Sequence, residues 1–439
     1  MPYYGAPDVV QFGSAQIRLA VIYAGNLRQT YRRTLQDYCV LNIDDNRVAL
    51  TIVPILRLAF RPLFLGGTLF SVIAMSWWTY FWLNPFAWEP HGGAIWWHGH
   101  EMLFGFGSAI VVGFLLTAVQ TWTGVIGLRG KLLAVLFTSW LLGRLLVAFG
   151  SFFPVWMIVG VDLSFLLFAA IAMAYPVIKV KQWRNLMFVP MLFALALLNG
   201  AGHWGVLNNR PDLALQSLHG AVMLITLIII VVGGRVIPFF TANSTGCERL
   251  LPLQWLEALS VITVIMLTAV ALVGYGKVPA AITVPLCVIA ALANGWRFLR
   301  WGYQYSWRTP LLWSLHLAYA FIPLGLLALA FHSAGYLASV STALHCFTAG
   351  AVGGMILAMI SRVTLGHTGR PLNPPRAIVP AYICILTGAG LRVVVPTGWP
   401  EYSQWGVGIA GLLWVLAYGI YCVYYGPMLV TERADGRPG

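Results

Sequence analysis

The sequence predicts an all-α, polytopic membrane protein with about twelve transmembrane helices. Of its 439 residues, 59% are hydrophobic and only 9% are charged, a composition typical of chains embedded largely in lipid. The apolar runs are about 20 residues or longer, which is the length that an α-helix needs to cross roughly 30 Å of hydrocarbon. They lack the alternating pattern of transmembrane β-strands. A soluble enzyme is therefore excluded.

Twelve apolar segments, separated by glycines, prolines and polar stretches, form the predicted spans 1 to 12. In order they cover residues 63–83, 94–121, 131–149, 154–177, 186–208, 213–239, 254–275, 278–297, 309–332, 338–364, 376–396 and 403–429. We predict a twelve-helix transmembrane domain over residues 56–430 and a cytoplasmic tail over residues 431–439. Residues 1–55 lack the apolar region of a signal peptide, so we interpret them as a cytoplasmic extension that is either disordered or the product of an upstream start codon.

The distribution of lysine and arginine predicts the orientation of the chain. With both termini in the cytoplasm, only Arg210, Lys277 and Arg392 lie on the outer side, and Arg144 lies inside span 3. The other 22 of the 26 basic residues then face the cytoplasm, as the positive-inside rule requires. Basic cytoplasmic loops next to the lipid bilayer explain the formal net charge of +13, so we expect no nucleic-acid partner.

Three markers recur along the chain with a period of four spans. Spans 2, 6 and 10 end in TWTG, NSTG and GHTG, whose glycines Gly124, Gly246 and Gly369 are separated by 122 and 123 residues. Each glycine is followed by one span and then a proline, and spans 1, 5 and 9 open near a proline. The pattern predicts a threefold pseudo-repeat of four helices with a site where the repeats meet. The alternative is that hairpins of similar length recur in any bundle.

Histidine, and not cysteine, is the candidate metal ligand. The six cysteines form no C-x-x-C pair and no C-x-x-C-H motif, so a thiolate zinc site and covalent haem are excluded. Five of the nine histidines fall about 5–12 Å below the outer boundary, at about 1.5 Å per helical residue. They are His98, His100, His203, His219 and His345. Imidazole is a common ligand of haem iron and copper, whereas the alternative is a hydrogen bond that packs two helices.

The stretch WWHGHEMLFGFG, residues 96–107, places two of these histidines on one helix. Residues two positions apart subtend about 200°, so His98 and His100 face opposite ways and each could serve a different centre. Glu101 lies one turn from His98. We predict that its carboxylate orients that ring or carries protons in catalysis, the alternative being a side chain that snorkels to the boundary.

Four further residues are candidates at the inner side. His316, in the inner half of span 9, could pack helices or belong to an inner proton path. His367, in the inner loop GHTGR, is expected to cap a helix end or to meet lipid phosphate. Arg235 and Arg362, near the inner ends of spans 6 and 10, could bind carbonyls, Glu257 or a carboxylate such as a haem propionate. Their inner depth argues against a propionate of a cofactor in the outer layer, so we expect a structural role for both. Asp162, midway along span 4, has no partner evident from the sequence.

Six motifs resemble those of a known family. They are LRLAFRPLFLG (56–66), WWHGHEMLFGFG (96–107), GFLLTAVQTWTG (113–124), GGRVIPFFTAN (233–243), LHLAYAF (315–321) and SRVTLGHTGRPL (361–372). In this order they resemble the NnrS family of bacterial membrane proteins from about residue 56 to the last span. The resemblance implies an inner-membrane protein with haem b and copper that is associated with nitric oxide, nitrosative stress and denitrification. The layout is also similar to the core of haem-copper oxidases, which is an analogy of architecture only.

Three functions remain open at this point. In the leading hypothesis the histidines hold a b-type haem and copper, Glu101 acts in catalysis, and nitric oxide is reduced with electrons from an unidentified donor, as in a nitric oxide reductase. The second is a transporter of copper, haem or another solute, which the repeat and the embedded charges favour. The third is a nitric oxide sensor or sink that binds the gas without turnover.

Overall fold

The computed structural model describes residues 50–438, which form a helical bundle without a β-strand. Twelve of the described helices, α1 to α12, are long and apolar enough to cross a membrane. The chain is therefore a multi-pass membrane protein. The twelve helices are Phe60–Leu83, Ala94–Thr123, Gly130–Ala148, Val155–Lys179, Trp183–Leu207, Pro211–Thr245, Gln254–Val273, Ala280–Leu299, Pro310–Ser333, Val340–His367, Ile378–Gly398 and Pro400–Val430. The predicted fold class and number of spans are confirmed. Most of the predicted extension, residues 1–49, lies outside the described residues.

The largest difference between a predicted span and its helix is at the inner end of α6. Inner and outer name the two ends of the bundle in the predicted orientation, which stays a prediction. The prediction ends at residue 239, where the sequence becomes polar, but the helix continues to Thr245. The hydroxyl groups of Thr241 and Thr245 donate hydrogen bonds of 2.9 and 2.7 Å to the carbonyls four residues earlier. The hydroxyl groups thus find their hydrogen-bond acceptors within the same helix, so a polar composition alone does not end the helix.

The helices α2, α6 and α10 lie at the centre of the bundle. In their most apolar stretches 83%, 72% and 78% of the residues are buried, against 33–56% in the other nine helices. These three helices occupy equivalent places in the predicted four-span repeat. Their common central position supports the repeat and places the meeting point of the three units at the bundle centre.

The three glycines that mark the repeat also have one structural role. Gly124 and Gly246 end α2 and α6 with φ angles of 67° and 70°, and Gly369 follows the end of α10 with a φ of 72°. This left-handed conformation is costly for residues with a Cβ atom and is typical of the glycine after a helix end. The regular spacing of the three glycines therefore reflects their equivalent positions at the ends of α2, α6 and α10.

Two of the central helices contain a π-helical segment near their outer ends. In α2 it covers Glu101–Gly107, directly after His100, and in α10 it covers Cys346–Val352, directly after His345. A π segment accommodates one extra residue in an α-helix and often occurs at functional sites. The shared position of the two segments relative to a histidine is a second structural sign of the repeat.

Candidate metal centre

Three buried residues converge where α2, α4 and α5 approach the outer end of the bundle. His100 comes from α2, Asp162 from α4 and His203 from α5. One potential ligand atom of each residue lies within 4.8 Å of the other two, and none of the three residues is more than 2% exposed. Two imidazoles and a carboxylate in this arrangement form a candidate site for one metal ion.

The distances in this cluster suit a small ion as well as hydrogen bonds. Asp162 Oδ2 lies 3.0 Å from His203 Nε2 and 3.1 Å from His100 Nε2. Ligands at about 2.1 Å from one ion in a tetrahedral site would be separated by roughly 3.4 Å, so only a small expansion is needed. Asn199 Oδ1, 2.9 Å from His100 Nε2, supplies a further oxygen at the same point.

Each of the two imidazoles is oriented through its second nitrogen. His100 Nδ1 lies 2.8 Å from Glu101 Oε1, and His203 Nδ1 lies 3.1 Å from His91 Nε2. Burial is the main cause that lowers the pKa of His91, in the loop before α2, to about 4, so this ring is neutral near pH 7. Metal-binding histidines commonly engage the other ring nitrogen with a carboxylate or another polar group, which fixes the tautomer and the ring plane.

Arg144 of α3 joins the two carboxylates of the cluster. It donates a hydrogen bond of 2.8 Å to Glu101 Oε1 and forms an ion pair with Asp162 Oδ1. With neutral imidazoles, the two carboxylates and one guanidinium carry one net negative charge in a site that is almost completely buried. A buried net charge is costly, so the cluster favours the binding of a cation or a proton.

The π segment of α2 and a glycine within it allow this arrangement. His100 and Glu101 are consecutive, yet their side chains meet. The sequence predicts that Glu101 orients His98, and this is wrong, because the carboxylate contacts His100 instead. A Cβ atom on Gly105 would lie 2.9 Å from Arg144 Nη1 and 3.1 Å from Glu101 Oε2. The position therefore leaves little room for any other residue beside the ion pair.

His98 faces the opposite side of α2, as its spacing from His100 predicts. Its ring stacks on Trp78 at a centroid distance of 4.3 Å, and we group it with His345 at the outer end of α10 because their predicted depths are similar. His345 Nδ1 donates a hydrogen bond of 2.7 Å to the Ser341 carbonyl, which leaves Nε2 as its potential ligand atom. Arg392 contacts the hydroxyl of the same serine at 3.2 Å.

His219 belongs to neither group. Its ring lies 5.9 Å from that of Tyr275, and its electrostatic neighbour is His332. The repeat explains the difference, because His100 and His345 each precede their marker glycine by 24 residues whereas His219 precedes Gly246 by 27. Three extra residues place it about 4.5 Å nearer the outer end. The predicted histidine layer therefore divides into a buried cluster, a pair and one separate ring.

The two inner histidines lie away from these groups. His316 Nε2 is 3.0 Å from the Thr241 hydroxyl, and its Nδ1 is buried with no hydrogen-bond partner among the described residues. His367 packs on Phe60 at 5.6 Å, and its carbonyl accepts a hydrogen bond from Arg433. Both contacts are structural ones between helices or at a helix end.

Arg235 and Arg362 also have local contacts at the inner side. Arg235 donates a hydrogen bond of 3.1 Å to Asn185 Oδ1, and Arg362 lies 3.9 Å from the centre of the Phe240 ring. Neither contact involves the outer histidines. The geometry agrees with the structural role that their depth favours.

Several residues of the outer site are not predicted as partners of its histidines from the sequence. Arg144 and Asp162 are candidates only as charges embedded in the membrane, and Asn199, His91 and Arg392 are not candidates. Depth along the helices was the available signal, since Asp162 lies seven residues from the start of α4 and Arg144 four from the end of α3, both at the outer side. At about 1.5 Å per residue these positions share the depth of His100 and His203.

The fold and the site define a polytopic helical membrane protein with a buried cluster of histidine and carboxylate groups able to hold a metal ion. The family model described as NnrS protein matches residues 54–433, most of the chain. The chain therefore belongs to the NnrS family, and the resemblance of its motifs is confirmed. No curated protein matches the sequence.

Proposed function

We propose that this protein is a haem- and copper-containing protein of the bacterial inner membrane that binds nitric oxide and reduces it. The observation that carries the proposal is the cluster of His100, Asp162 and His203, in which a separate group orients each imidazole. His98 lies on the other face of the same helix, and we group it with His345, at a similar predicted depth on α10, as a second histidine pair. Two neighbouring centres on one helix fit a reaction that joins two small molecules.

The donor set of the buried cluster fits copper. Imidazole nitrogen suits copper in both common oxidation states, and Asp162 adds an anionic oxygen. A cation with one positive charge would neutralise the net charge of the cluster, and one with two would reverse it. His100, His203 and Asp162 would hold the ion, while Glu101 and His91 hold the two rings in place.

The histidine pair on the other face fits a b-type haem. His345 has its Nδ1 engaged by the Ser341 carbonyl, and neither ring nitrogen of His98 makes a hydrogen bond within the described part of the chain. One or both of these residues would hold the haem iron through Nε2, and the haem would supply a redox centre and a binding site for a small gas. Arg392 lies at the depth of His345 and would bind a haem propionate. Arg235 and Arg362 are at the inner side, too far from this haem to bind its propionates.

The bound metals would supply a binding site for nitric oxide and pass on electrons from an external donor, two for every two molecules reduced. The chain supplies a group that holds protons and the enclosure. Glu101 Oε1 is engaged by His100 and Arg144, whereas its Oε2 is buried without a hydrogen-bond partner among the described residues. That oxygen is where a proton for the reduced product is held. Aromatic rings of Trp96 and Phe104, 4.5 and 5.2 Å from the His100 ring, exclude water from the cluster.

The test is the optical spectrum and metal content of the detergent-purified chain with and without nitric oxide. We expect His345→Ala and His98→Ala to remove or shift the haem absorption, and His100→Ala and His203→Ala to remove copper with the haem retained. His332→Ala is the matched control, because its Nδ1 only caps the Leu337 carbonyl at 2.8 Å.

The outcomes separate the three candidate functions. Haem that shifts with nitric oxide and supports its consumption with a chemical reductant agrees with the proposal. Binding without consumption would leave a sensor or sink. A colourless, metal-free wild type would reject both and lead to copper and haem flux assays in proteoliposomes.

A further inference from the structure

A cavity lies at the inner end of the bundle between α6, α7 and α8, far along the chain from the histidine cluster. It is a partly open pocket with about 30 Å³ of internal space. Its walls include the exposed Arg249, the half-buried Arg300 and the buried Arg297, with Glu257 as the acidic member. Three guanidinium groups and one carboxylate make this a basic cavity.

The carboxylate is already neutralised by one of the arginines. Arg297 Nε and Nη2 donate hydrogen bonds of 2.9 and 2.6 Å to the two oxygens of Glu257. The same guanidinium also donates to the Tyr319 hydroxyl and to the Ile230 carbonyl. Arg297 is thus fully used in a structural ion pair, and two positive charges remain in the lining.

The guanidinium groups of Arg249 and Arg300 have N–H groups that make no hydrogen bond within the described residues. Arg300 Nη2 donates one hydrogen bond of 3.0 Å to the Leu251 carbonyl. Arg249 makes no hydrogen bond or ion pair in the described region and only lies 6.0 Å from the Phe239 ring centre. Arginine presents several N–H groups in a planar fork that matches phosphate oxygens.

The surroundings of the cavity are apolar and exposed. Leu250 and Leu251, which help to line it, are 49% and 83% exposed, and Trp255 and Trp296 nearby on α7 and α8 are 53% and 50% exposed. Tryptophan is enriched where hydrocarbon meets headgroups, and exposed leucine there faces acyl chains. A ligand that fits both features has a negative headgroup and an apolar tail.

We propose that this cavity binds the phosphate headgroup of an anionic phospholipid of the inner leaflet, with Arg249 and Arg300 as its donors. Basic sites between membrane helices on the cytoplasmic side commonly bind such headgroups. The site rests on the predicted orientation and on the geometry of the inner end. It does not depend on the metals or on nitric oxide.

The test is a lipid titration of the full purified chain by native mass spectrometry, with phosphatidylglycerol and with phosphatidylcholine as the neutral lipid. The variant is R249Q/R300Q. The matched control is R308Q/R376Q, which removes two exposed arginines of the same predicted face outside the cavity. At about 1 kcal/mol for each basic residue, the variant should raise the Kd for phosphatidylglycerol by about thirtyfold and the control by less than twofold.

Three results would overturn the proposal. They are equal affinity of wild type for the two lipids, equal losses in variant and control, and full displacement of phosphatidylglycerol by millimolar inorganic phosphate, which would indicate a soluble anion as the ligand. Replacing Arg300 also removes its hydrogen bond to the Leu251 carbonyl and so can disturb the local fold. The single variant Arg249→Gln tests the lipid site without this loss. It should raise the Kd by about fivefold with an unchanged Tm.

Discussion

The ion pairs of Arg144 give the sharpest test of the outer site. In Arg144→Met a side chain of similar length replaces the guanidinium, and the carboxylates of Glu101 and Asp162 lose their shared cation. Both carboxylates are buried, with 1% side-chain exposure, so water cannot replace Arg144. Removing one partner of a buried ion pair typically costs about 3–5 kcal/mol.

The expected change in melting temperature follows from this cost. An unfolding entropy of about 2.1 cal/mol/K per residue, over the 389 residues from 50 to 438, gives roughly 0.8 kcal/mol/K. A loss of about 4 kcal/mol therefore lowers the Tm by about 5 °C. The assay is thermal unfolding of the metal-free protein followed by a thiol-reactive dye, because Cys287 and Cys346 are buried and become reactive on unfolding.

A double variant separates charge from packing. In R144M/D162N the cluster loses one positive and one negative charge, so we expect at least half of the lost stability to return. Arg210→Gln is the control, because the Arg210–Asp212 pair is exposed and such pairs contribute about 0–1 kcal/mol. A Tm for Arg144→Met within 1 °C of that control would refute the view that Arg144 compensates buried charge.

Three further predictions concern the groups around the site. His91→Ala and Glu101→Gln should each lower copper affinity by about 10–100-fold, measured by competition with a chelator, while His332→Ala leaves it unchanged; equal affinities would show that neither group orients a ligand. Gly105→Ala should lower the Tm and copper content, because its Cβ would press on Arg144 and Glu101, whereas Gly419→Ala, with open space at its Cβ, should not; identical variants would contradict the tight fit. Arg297→Gln should destabilise less than Arg144→Met in the same thermal assay, because the side chain of Glu257 is 34% exposed and reaches water, so that mainly the hydrogen bonds to Tyr319 and the Ile230 carbonyl are lost. A loss as large as that of Arg144→Met would be inconsistent with this difference.

Hydrophobic length and helical periodicity were enough to predict the bundle from the sequence. Hydrophobic length gave twelve helices, and the helix repeat of about 100° per residue placed His98 and His100 on opposite faces, as observed. The marker glycines Gly124 and Gly246 correctly indicated equivalent helix ends. Each of these features is local to one helix, so a single sequence contains the information.

The partners within the site could not be predicted in the same way. Asp162 seemed isolated because its contacts come from three other helices, through Arg144, His100 and His203. Glu101 was assigned to His98 by regular α-helical spacing, which the π segment of α2 breaks at that residue. Contacts between helices depend on their rotation and packing, and these are set by the whole bundle rather than by any one span.

The π segments have a consequence for how the site can tolerate change. One extra residue in a π segment rotates the turns before it by about 100° about the helix axis, relative to a regular α-helix. The first turns of α2 and α10 therefore present their side chains in a different direction from that expected by extending the rest of each helix. Deleting a single residue between Glu101 and Gly107 would restore the regular winding and turn His100 away from Asp162, while the inner half of α2, Ser108–Thr123, kept its packing. The direction in which the outer histidines point therefore depends on one residue of chain length in each π segment.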